Sequence, residues 1–338
     1  MNKITTIGLD LAKNVFHAVC CDQYGKQVSK KMLRRSQVLM YFAQKEACLV
    51  GMESCASSHF WARELEKLGH QVKLIPPQYV KPYLRGNKND YNDALAIAEA
   101  VTRPEMRFAA IKMQSQQDIQ ALHRLRERRI QERTALCNQV RGLLAEYGII
   151  IAMGIRSVQR RIPELLEDAE NGLSDVFRQF LYQIQKQLQE LDAHIGFYNE
   201  ILQVQNQQNE VCQRLQTIPG FGPIVASVFY SFVGDGEIYR RGRDVSAALG
   251  LVPKQHSSGG KDRLLGISKR GDRYLRSLLV HGARSVIIYA ANKDDKLSRW
   301  ANRIKGERGY NKAAVALANK MARIGWAIIA HKTTYQIA

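Results

Sequence analysis

The chain has six cysteines, Cys20, Cys21, Cys48, Cys55, Cys137 and Cys212, and none forms a Cys-X-X-Cys pair. That absence argues against a zinc knuckle. Several of the six fall within apolar strand or helix patterns and read as small buried hydrophobes of a reducing compartment. The N-terminal MNKITTIGLD has no uninterrupted apolar h-region, so no signal peptide is read. The most apolar C-terminal stretches, SLLVHGARSVIIYAA and MARIGWAIIAH, are broken by Arg, His or Lys. Neither approaches the ~18–20 apolar residues of a membrane span, so a cytoplasmic location and no membrane partner are expected. The chain is also short of acids. Asp and Glu number 31 against 50 Lys and Arg, a net charge of +19 over 338 residues. A polyanionic partner is the simplest explanation. At 45% hydrophobic content the length suffices for two or three domains, each with a core.

The first hundred residues read as β-β-β-α-β-α-β-α. ITTIGLDLA, NVFHAVCC and KQVSKKML fit two hairpins, with a turn at Asp22–Gly25. SQVLMYFAQK is a short helix with Ser36 as its expected N-cap. CLVGMES is a buried strand, SSHFWARELEKLG an amphipathic helix ended by Gly69, QVKLIPP a strand, and DALAIAEAVTR a helix. From about Gln114 the pattern changes to long helices. One carries an apolar stripe of Ile119, Leu122, Leu136, Val140, Leu143 and Tyr147. Arg124, Arg126, Arg128, Arg129, Arg133 and Arg141 decorate the rest, either as a solvated face or as phosphate contacts. A second helix begins near Ser174. Its apolar residues, from Phe177 through Leu181, Ile184, Leu188, Leu191, Ile195 and Tyr198 to Leu202, make a heptad seam. Such a seam packs within the chain or between subunits, and a contribution to self-assembly is expected. Further on, IPGFGP before an apolar helix resembles a helix–hairpin–helix turn, whose glycines admit a phosphate or merely tighten the turn.

Four carboxylates recur in telling places. Asp10 closes one apolar strand and Glu53 another, while Asp90 and Asp93 lie three apart in NKNDYNDALAIAEA and share a helix face. On neighbouring strands Asp10 and Glu53 meet at one sheet edge, where the helix acids can complete a set of hard oxygen ligands for a divalent cation. Taken singly, Asp10 is an ordinary strand end and Asp90 an ordinary helix N-cap. Glu53 is less easily dismissed, because it interrupts an apolar strand. IGLDLA also resembles the first phosphate loop of the sugar-kinase and actin class. That class wants a small residue with Thr soon after the acid, and AKN stands here instead.

The segment LVPKQHSSGGKDRLLGISKRGDRYLR sets Ser257 and Ser258 among Lys254, Lys261, Arg263, Lys269, Arg270, Arg273 and Arg276, opposed only by Asp262 and Asp272. A serine among phosphate-binding cations is a candidate nucleophile, and a polar flexible loop is the plain alternative.

Together, IGLDLAKN, GMES, NKNDYNDA, IPGFGP and ALGLVPKQHSSGGKDRLLGISKRGDRYLR resemble the DEDD transposases of bacterial insertion sequences, of the IS-one-ten type, relatives of the Piv DNA invertase. The resemblance covers nearly the whole chain. It implies an α/β RNase H-like (RuvC-like) metal domain over residues 1–112, a long-helix, coiled-coil region over 113–210, and a mainly α transposase domain over 211–338. It implies that Asp10, Glu53, Asp90 and Asp93 hold Mg²⁺ or Mn²⁺. It places the nucleophile at Ser258, with Ser257 the alternative, and requires no ATP. The family's members are recombinases acting on donor and target DNA under a structured noncoding guide (bridge) RNA. They work at the nucleoid as homo-dimers or tetramers whose composite site draws on different subunits. Delegating sequence choice to base pairing accords with the lack of a helix–turn–helix or zinc motif here. Two other readings of the residues stay open: a RuvC-like junction nuclease using metal-activated water, and a non-catalytic nucleic-acid scaffold.

Overall fold

The computed structural model describes residues 3–87 and 89–336, so Lys88 of the NKNDYNDA motif lies outside it. The chain divides into two compact units, Met1–Gln116 with Phe232–Arg240, and Gln117–Ser231 with Arg241–Ala338.

In the first unit, β1 (Thr6–Asp10), β2 (Val15–Cys21) and β3 (Gln27–Arg34) form an antiparallel meander. Asp22 builds the second turn. Its Oδ1 accepts hydrogen bonds from the N–H groups of Tyr24 and Lys26 at 2.9 and 3.0 Å, and Gly25 supplies a φ of +78°. There follow α1 (Val38–Ala43), β4 (Leu49–Glu53), α2 (Ser58–Lys67), β5 (Gln71–Ile75), α3 (Pro77–Val80) and α4 (Asp90–Val101). The sheet order is β3-β2-β1-β4-β5, with β4 parallel to both β1 and β5. This mixed sheet with its helices is compatible with the expected RNase H-like arrangement.

One cap differs from expectation, and the plain alternative for Asp90 does not hold. Ser36 does not cap α1, because it lies inside a 3-10 turn, Arg35–Gln37, that precedes the helix. There the Gln37 side chain accepts the Arg34 N–H at 2.9 Å. Asn89, not Asp90, caps α4 by accepting the Tyr91 N–H at 2.9 Å, which leaves the Asp90 carboxylate free of that duty.

The sheet buries both faces. Ile7 and Leu9 point into the larger core with Phe16, Met52, Trp61 and Leu65. On the opposite face, Gly8 and Gly51 lie under α4. A Cβ on Gly8 would stand 1.9 Å from the Ala94 carbonyl oxygen and 2.6 Å from Ala98 N, and one on Gly51 would stand 2.8 Å from Val101 Cβ. Buried Ala94, Ala96, Ala98 and Ala100 complete a contact in which helix backbone lies almost directly on strand backbone.

The second unit is mainly helical. It holds all but the first residues of α5 (Gln114–Ala145), then α6 (Ile155–Glu167), α7 (Asp175–Gln208) and α8 (Glu210–Gln216). Most of α9 (Pro223–Val233) and α10 (Gly242–Ala248) follow, then a small hairpin of β6 (Pro253–Gln255) and β7 (Leu264–Ile267). α11 (Arg273–Ala290), α12 (Lys296–Arg308) and α13 (Tyr310–His331) complete it. α7 begins where expected, and Ser174 caps it by accepting the Phe177 N–H at 3.2 Å.

The buried face of α5 is not quite the expected stripe. Ile119, His123, Cys137, Val140 and Leu144 are buried, whereas Leu143 and Tyr147 are exposed, because the face continues from Val140 by four residues rather than three. On α7 the start of the seam, Phe177, Leu181, Ile184 and Leu188, packs within the chain against Cys137, Val140 and Leu144 of α5 and Val158, Ile162 and Leu165 of α6. α13 is long and apolar enough to cross a membrane, but Ala314, Leu317, Ala318 and Met321 are buried in a helix that packs on α10, α11 and α12. All six cysteines are free thiols, and only Cys55 is exposed.

A buried polar knot ties α5 to α9 and α11. Ser227 donates to the Pro223 carbonyl at 2.9 Å and receives the His123 Nε2 hydrogen at 2.8 Å. His123 Nδ1 then accepts from the Tyr274 hydroxyl at 3.2 Å. Burial, followed by the Arg126 charge, holds the His123 pKa down at about 4.

Gly8→Ala forces α4 off the sheet and should lower the melting temperature markedly, overpacking of this kind costing about 1–3 kcal/mol or more. Gly142→Ala, in open space on α5, should leave the melting temperature unchanged or raise it, so thermal unfolding of the pair checks the contact. His123 also gives the fold a pH limit. The unfolded chain protonates this imidazole near its ordinary 6.5, and the native chain refuses the proton until about 4. The stability it contributes is therefore complete above 6.5 and drains away as pH falls toward 4, by up to roughly 3 kcal/mol. Denaturant midpoints across that range should fall less steeply for His123→Gln than for the wild-type chain.

Candidate metal centre and serine loop

Asp10 is the last residue of β1 and lies on the α4 side of the sheet, two residues after Gly8. Glu53 ends β4 on the same side, two after Gly51. Asp90 and Asp93 occupy the first turn of α4, where free backbone N–H groups and the helix dipole favour negative charge. Carboxylate oxygens of Asp10, Asp90 and Asp93 lie within 4.8 Å of one another. Glu53 falls outside that trio but within its field. Burial, then the charge of Asp93, raises the Glu53 pKa, while Lys81 opposes the shift.

Asp10 is the most strained member. Burial, then Asp93, Asp90 and Glu53 in turn, push its pKa up to about 6, with His17 the one neighbour that lowers it. Three carboxylates facing one point with so little compensating charge are a donor set for a hard divalent cation, and the residues fit Mg²⁺ or Mn²⁺.

Two neighbours escaped the sequence reading. His17 pairs with Asp10 across the β1–β2 hairpin, and its Nδ1 lies 3.6 Å from an Asp90 oxygen. Its ring meets Tyr91 edge-on at 4.8 Å, and the Lys30 ammonium lies over the Tyr91 ring, 4.8 Å from its centre. The hairpin spacing was the available signal, since residues 10 and 17 are partners in a two-strand register. Cys55, the exposed thiol, is pushed up to about 11 by burial, then by Glu53 and Asp10, so it stays protonated at neutral pH.

The serine loop belongs to the second unit. It is the tip of the β6–β7 hairpin, closed by a bridge between Ser258 and Lys261 with Gly259 and Gly260 at φ +57° and +74°. The base of the hairpin is clamped. A Cβ on Gly271 would meet the Ala248 carbonyl oxygen at 1.8 Å, and one on Gly250 would meet that of Arg270 at 2.2 Å.

The two serines differ. Ser257 donates to Asp262 at 2.8 Å and accepts from the Gln255 amide at 2.8 Å. Ser258 is exposed, and its hydroxyl makes no hydrogen bond among the described residues. Lys254, Lys261, Arg263, Lys269, Arg270 and Arg273 are exposed around this loop. Arg276 is not free for phosphate in the same way, because its guanidinium donates to the Leu249 and Arg270 carbonyls, both at 3.0 Å.

The α5 arginines are likewise largely engaged. Arg126 donates to Asn199 at 2.6 Å, Arg128 and Arg129 both pair with Glu132, Arg133 pairs with Asp192, and Arg141 donates to the Ile151 carbonyl. Arg124 is exposed and makes no such contact among the described residues. At the IPGFGP turn, the Cβ direction of Gly220 is filled by Met321 and the Gly282 carbonyl, so this glycine serves helix packing, while Gly222 faces open space.

Two family models match. The DEDD transposase model of the IS110 type covers residues 7–149, and the model for the transposase IS116/IS110/IS902 family covers residues 212–298. The chain belongs to the IS110 family of transposases. The four acids fall within the first match and both serines within the second. Relatives align end to end. A probable family 20 transposase of Pseudomonas aeruginosa is 46% identical over 98% of this chain and 99% of its own length. The transposase for insertion sequence element IS1111A of Coxiella burnetii is 44% identical over 99% of this chain and 92% of its own, and that for IS1328 of Yersinia enterocolitica 41% identical over 99% of each. The protein is thus a DNA transposase, an enzyme of strand transfer for an insertion sequence.

The repulsion around Asp10 makes a prediction for this transposase. Asp10→Asn removes the most disfavoured charge of the cluster, so in metal-free buffer it should raise the melting temperature. Mg²⁺ should raise the melting temperature of the wild-type protein more than that of the variant, as differential scanning fluorimetry with and without the cation would read.

Proposed function

We propose that this transposase cuts and rejoins DNA through a covalent serine–DNA ester, at sites chosen by a structured guide RNA. The convergence of Asp10, Asp90 and Asp93 from β1 and α4 is the observation that carries the reading. In it the first unit acts as a RuvC-like catalytic domain. Asp10, Asp90 and Asp93, with Glu53 beside them, would hold Mg²⁺ or Mn²⁺, which would supply charge neutralisation to the phosphoryl group. His17 orients Asp90 from the side.

Ser258 supplies the nucleophile. Its Oγ forms a bond to phosphorus as the bond from phosphorus to the 3′-oxygen breaks, and the serine proton ends on the departing 3′-hydroxyl. A 3′-hydroxyl of the exchanged strand reverses the step and restores the serine. One phosphoester bond replaces another throughout, so ATP is not needed. Exposed Lys254, Lys261, Arg263, Lys269, Arg270 and Arg273 hold backbone phosphates around the loop. Ser257, fastened to Asp262 and Gln255, shapes the loop. Arg124 adds a phosphate contact on α5. The division into metal, long-helix and serine regions belongs to the same reading, as do donor and target DNA, guide RNA, and a homo-oligomer.

A denaturing gel of protein with donor DNA, guide RNA and Mg²⁺ tests the proposal. The wild-type chain and Ser257→Ala should give protein-linked DNA. Ser258→Ala should bind both nucleic acids yet give no adduct, and Asp10→Asn should neither cleave nor form one. Free 5′-phosphate ends without an adduct would replace the serine with metal-activated water. Full cleavage by Asp10→Asn would remove the metal assignment.

A further inference from the structure

An open groove of about 680 Å³ lies in the first unit, remote in sequence from the serine loop, at the end of the sheet where β2 begins and β3 ends. Asn14, Arg34, Arg35, Ser36, Phe60 and Trp61 line it, so two cations and no acid face the space. Because Asp10 pairs with His17, two residues into β2, this end of the sheet is also the carboxylate end. Phe16 and Trp61 belong to the core on the face away from α4, so the groove opens beside the metal centre but on the other face.

Phe60 is the informative residue. α2 buries Ser58, Trp61, Ala62 and Leu65, and Phe60 stands off that face, 42% exposed. Packing gives no reason for an aromatic ring there. The ring is nonetheless held. It meets buried Trp61 edge-on at 5.1 Å, and Trp61 in turn lies 5.1 Å beneath the Arg35 guanidinium. Arg35 is fixed by its own backbone bond to the Asn14 carbonyl at 2.9 Å and by a side-chain bond to the Lys13 carbonyl at 3.4 Å.

A presented aromatic face, flanked by the held Arg35, by Arg34 and by an amide, is the chemistry that binds a nucleotide: the ring stacks a base and the cations take its phosphates. Bases within a duplex have no free face to offer, so an unpaired nucleotide is the occupant that fits. We infer that this groove binds an unpaired nucleotide of a single strand, with the base on Phe60 and the backbone on Arg34 and Arg35. The inference rests on the reading that the protein acts on nucleic acid, and it adds a single-strand contact separate from both the carboxylates and the serine loop.

Fluorescence anisotropy of the full-length protein with labelled oligo(dT), oligo(U) and a blunt DNA duplex tests it, in EDTA so that the metal centre plays no part. Phe60→Ala should weaken single-strand binding by roughly ten-fold, the loss of about one base stack, and leave duplex binding unchanged. Phe60→Trp should restore it, and Arg34→Gln should weaken it with a shallower salt dependence. An abasic oligonucleotide should bind wild-type protein as weakly as intact oligonucleotide binds Phe60→Ala. Stronger binding of oligo(U) would assign the groove to RNA and of oligo(dT) to DNA, either supporting it. Wild-type affinity in Phe60→Ala, or an equal loss on duplex, would overturn the groove alone. A wild-type chain that binds none of the three probes would overturn the nucleic-acid reading beneath it.

Discussion

Helix α4 can approach the sheet only because Gly8 and Gly51 have no side chains, and every acid of the candidate centre takes its position from that approach. Two residues beyond each glycine, on the same face, come Asp10 and Glu53. The helix that fills the space above the glycines begins with Asp90 and Asp93, so its first turn falls over the strand end. A bulkier strand would lift the helix and carry two of the three converging carboxylates away with it. The chemistry of the site is thus set by packing between backbones, and the carboxylates themselves resist the arrangement. Asp10 is held at a pKa of about 6 by burial and by its three acidic neighbours. The core compels what electrostatics opposes, and a divalent cation bound there would relieve the conflict.

The cations divide by duty. On α5 the guanidinium groups of Arg126, Arg128, Arg129, Arg133 and Arg141 bind groups of the protein itself, tying the long helix to α7 and to its own neighbours. Around the hairpin tip the lysines and arginines stand in solvent. A single net charge of +19 therefore contains a structural population and a free one, and only the free one is available to a polyanion without rearrangement.

Sequence made the first unit legible because its signals are local. Apolar runs bounded by turn residues gave the strands in order, and Asp22, Gly25 and Gly69 act where their chemistry requires. The family matches agree with the motifs from which the resemblance was drawn. What stayed hidden depends on partners distant along the chain. Nothing near Arg133 announces Asp192. His17 becomes a neighbour of Asp90 only through the register of one hairpin and the placement of α4. Asn89 takes the cap that was the plain alternative for Asp90, a difference of one residue that leaves that carboxylate to the candidate centre. Likewise the residues alone leave Ser257 and Ser258 alike, with only the family resemblance favouring Ser258, and Asp262 across the hairpin tip distinguishes a fastened hydroxyl from a free one.

The glycine contact under α4 also has a genetic meaning. Every amino acid other than glycine carries a Cβ, so no missense change at codon 8 avoids the Ala94 carbonyl. Codon 8 thus has no conservative neighbour, whereas codons for the exposed arginines of α5 have several. In a copy of the element released from selection, random substitution at codon 8 would therefore damage the enzyme at a position outside both the carboxylates and the serines. A count of intact acids and serines would overstate how many such copies remain able to move.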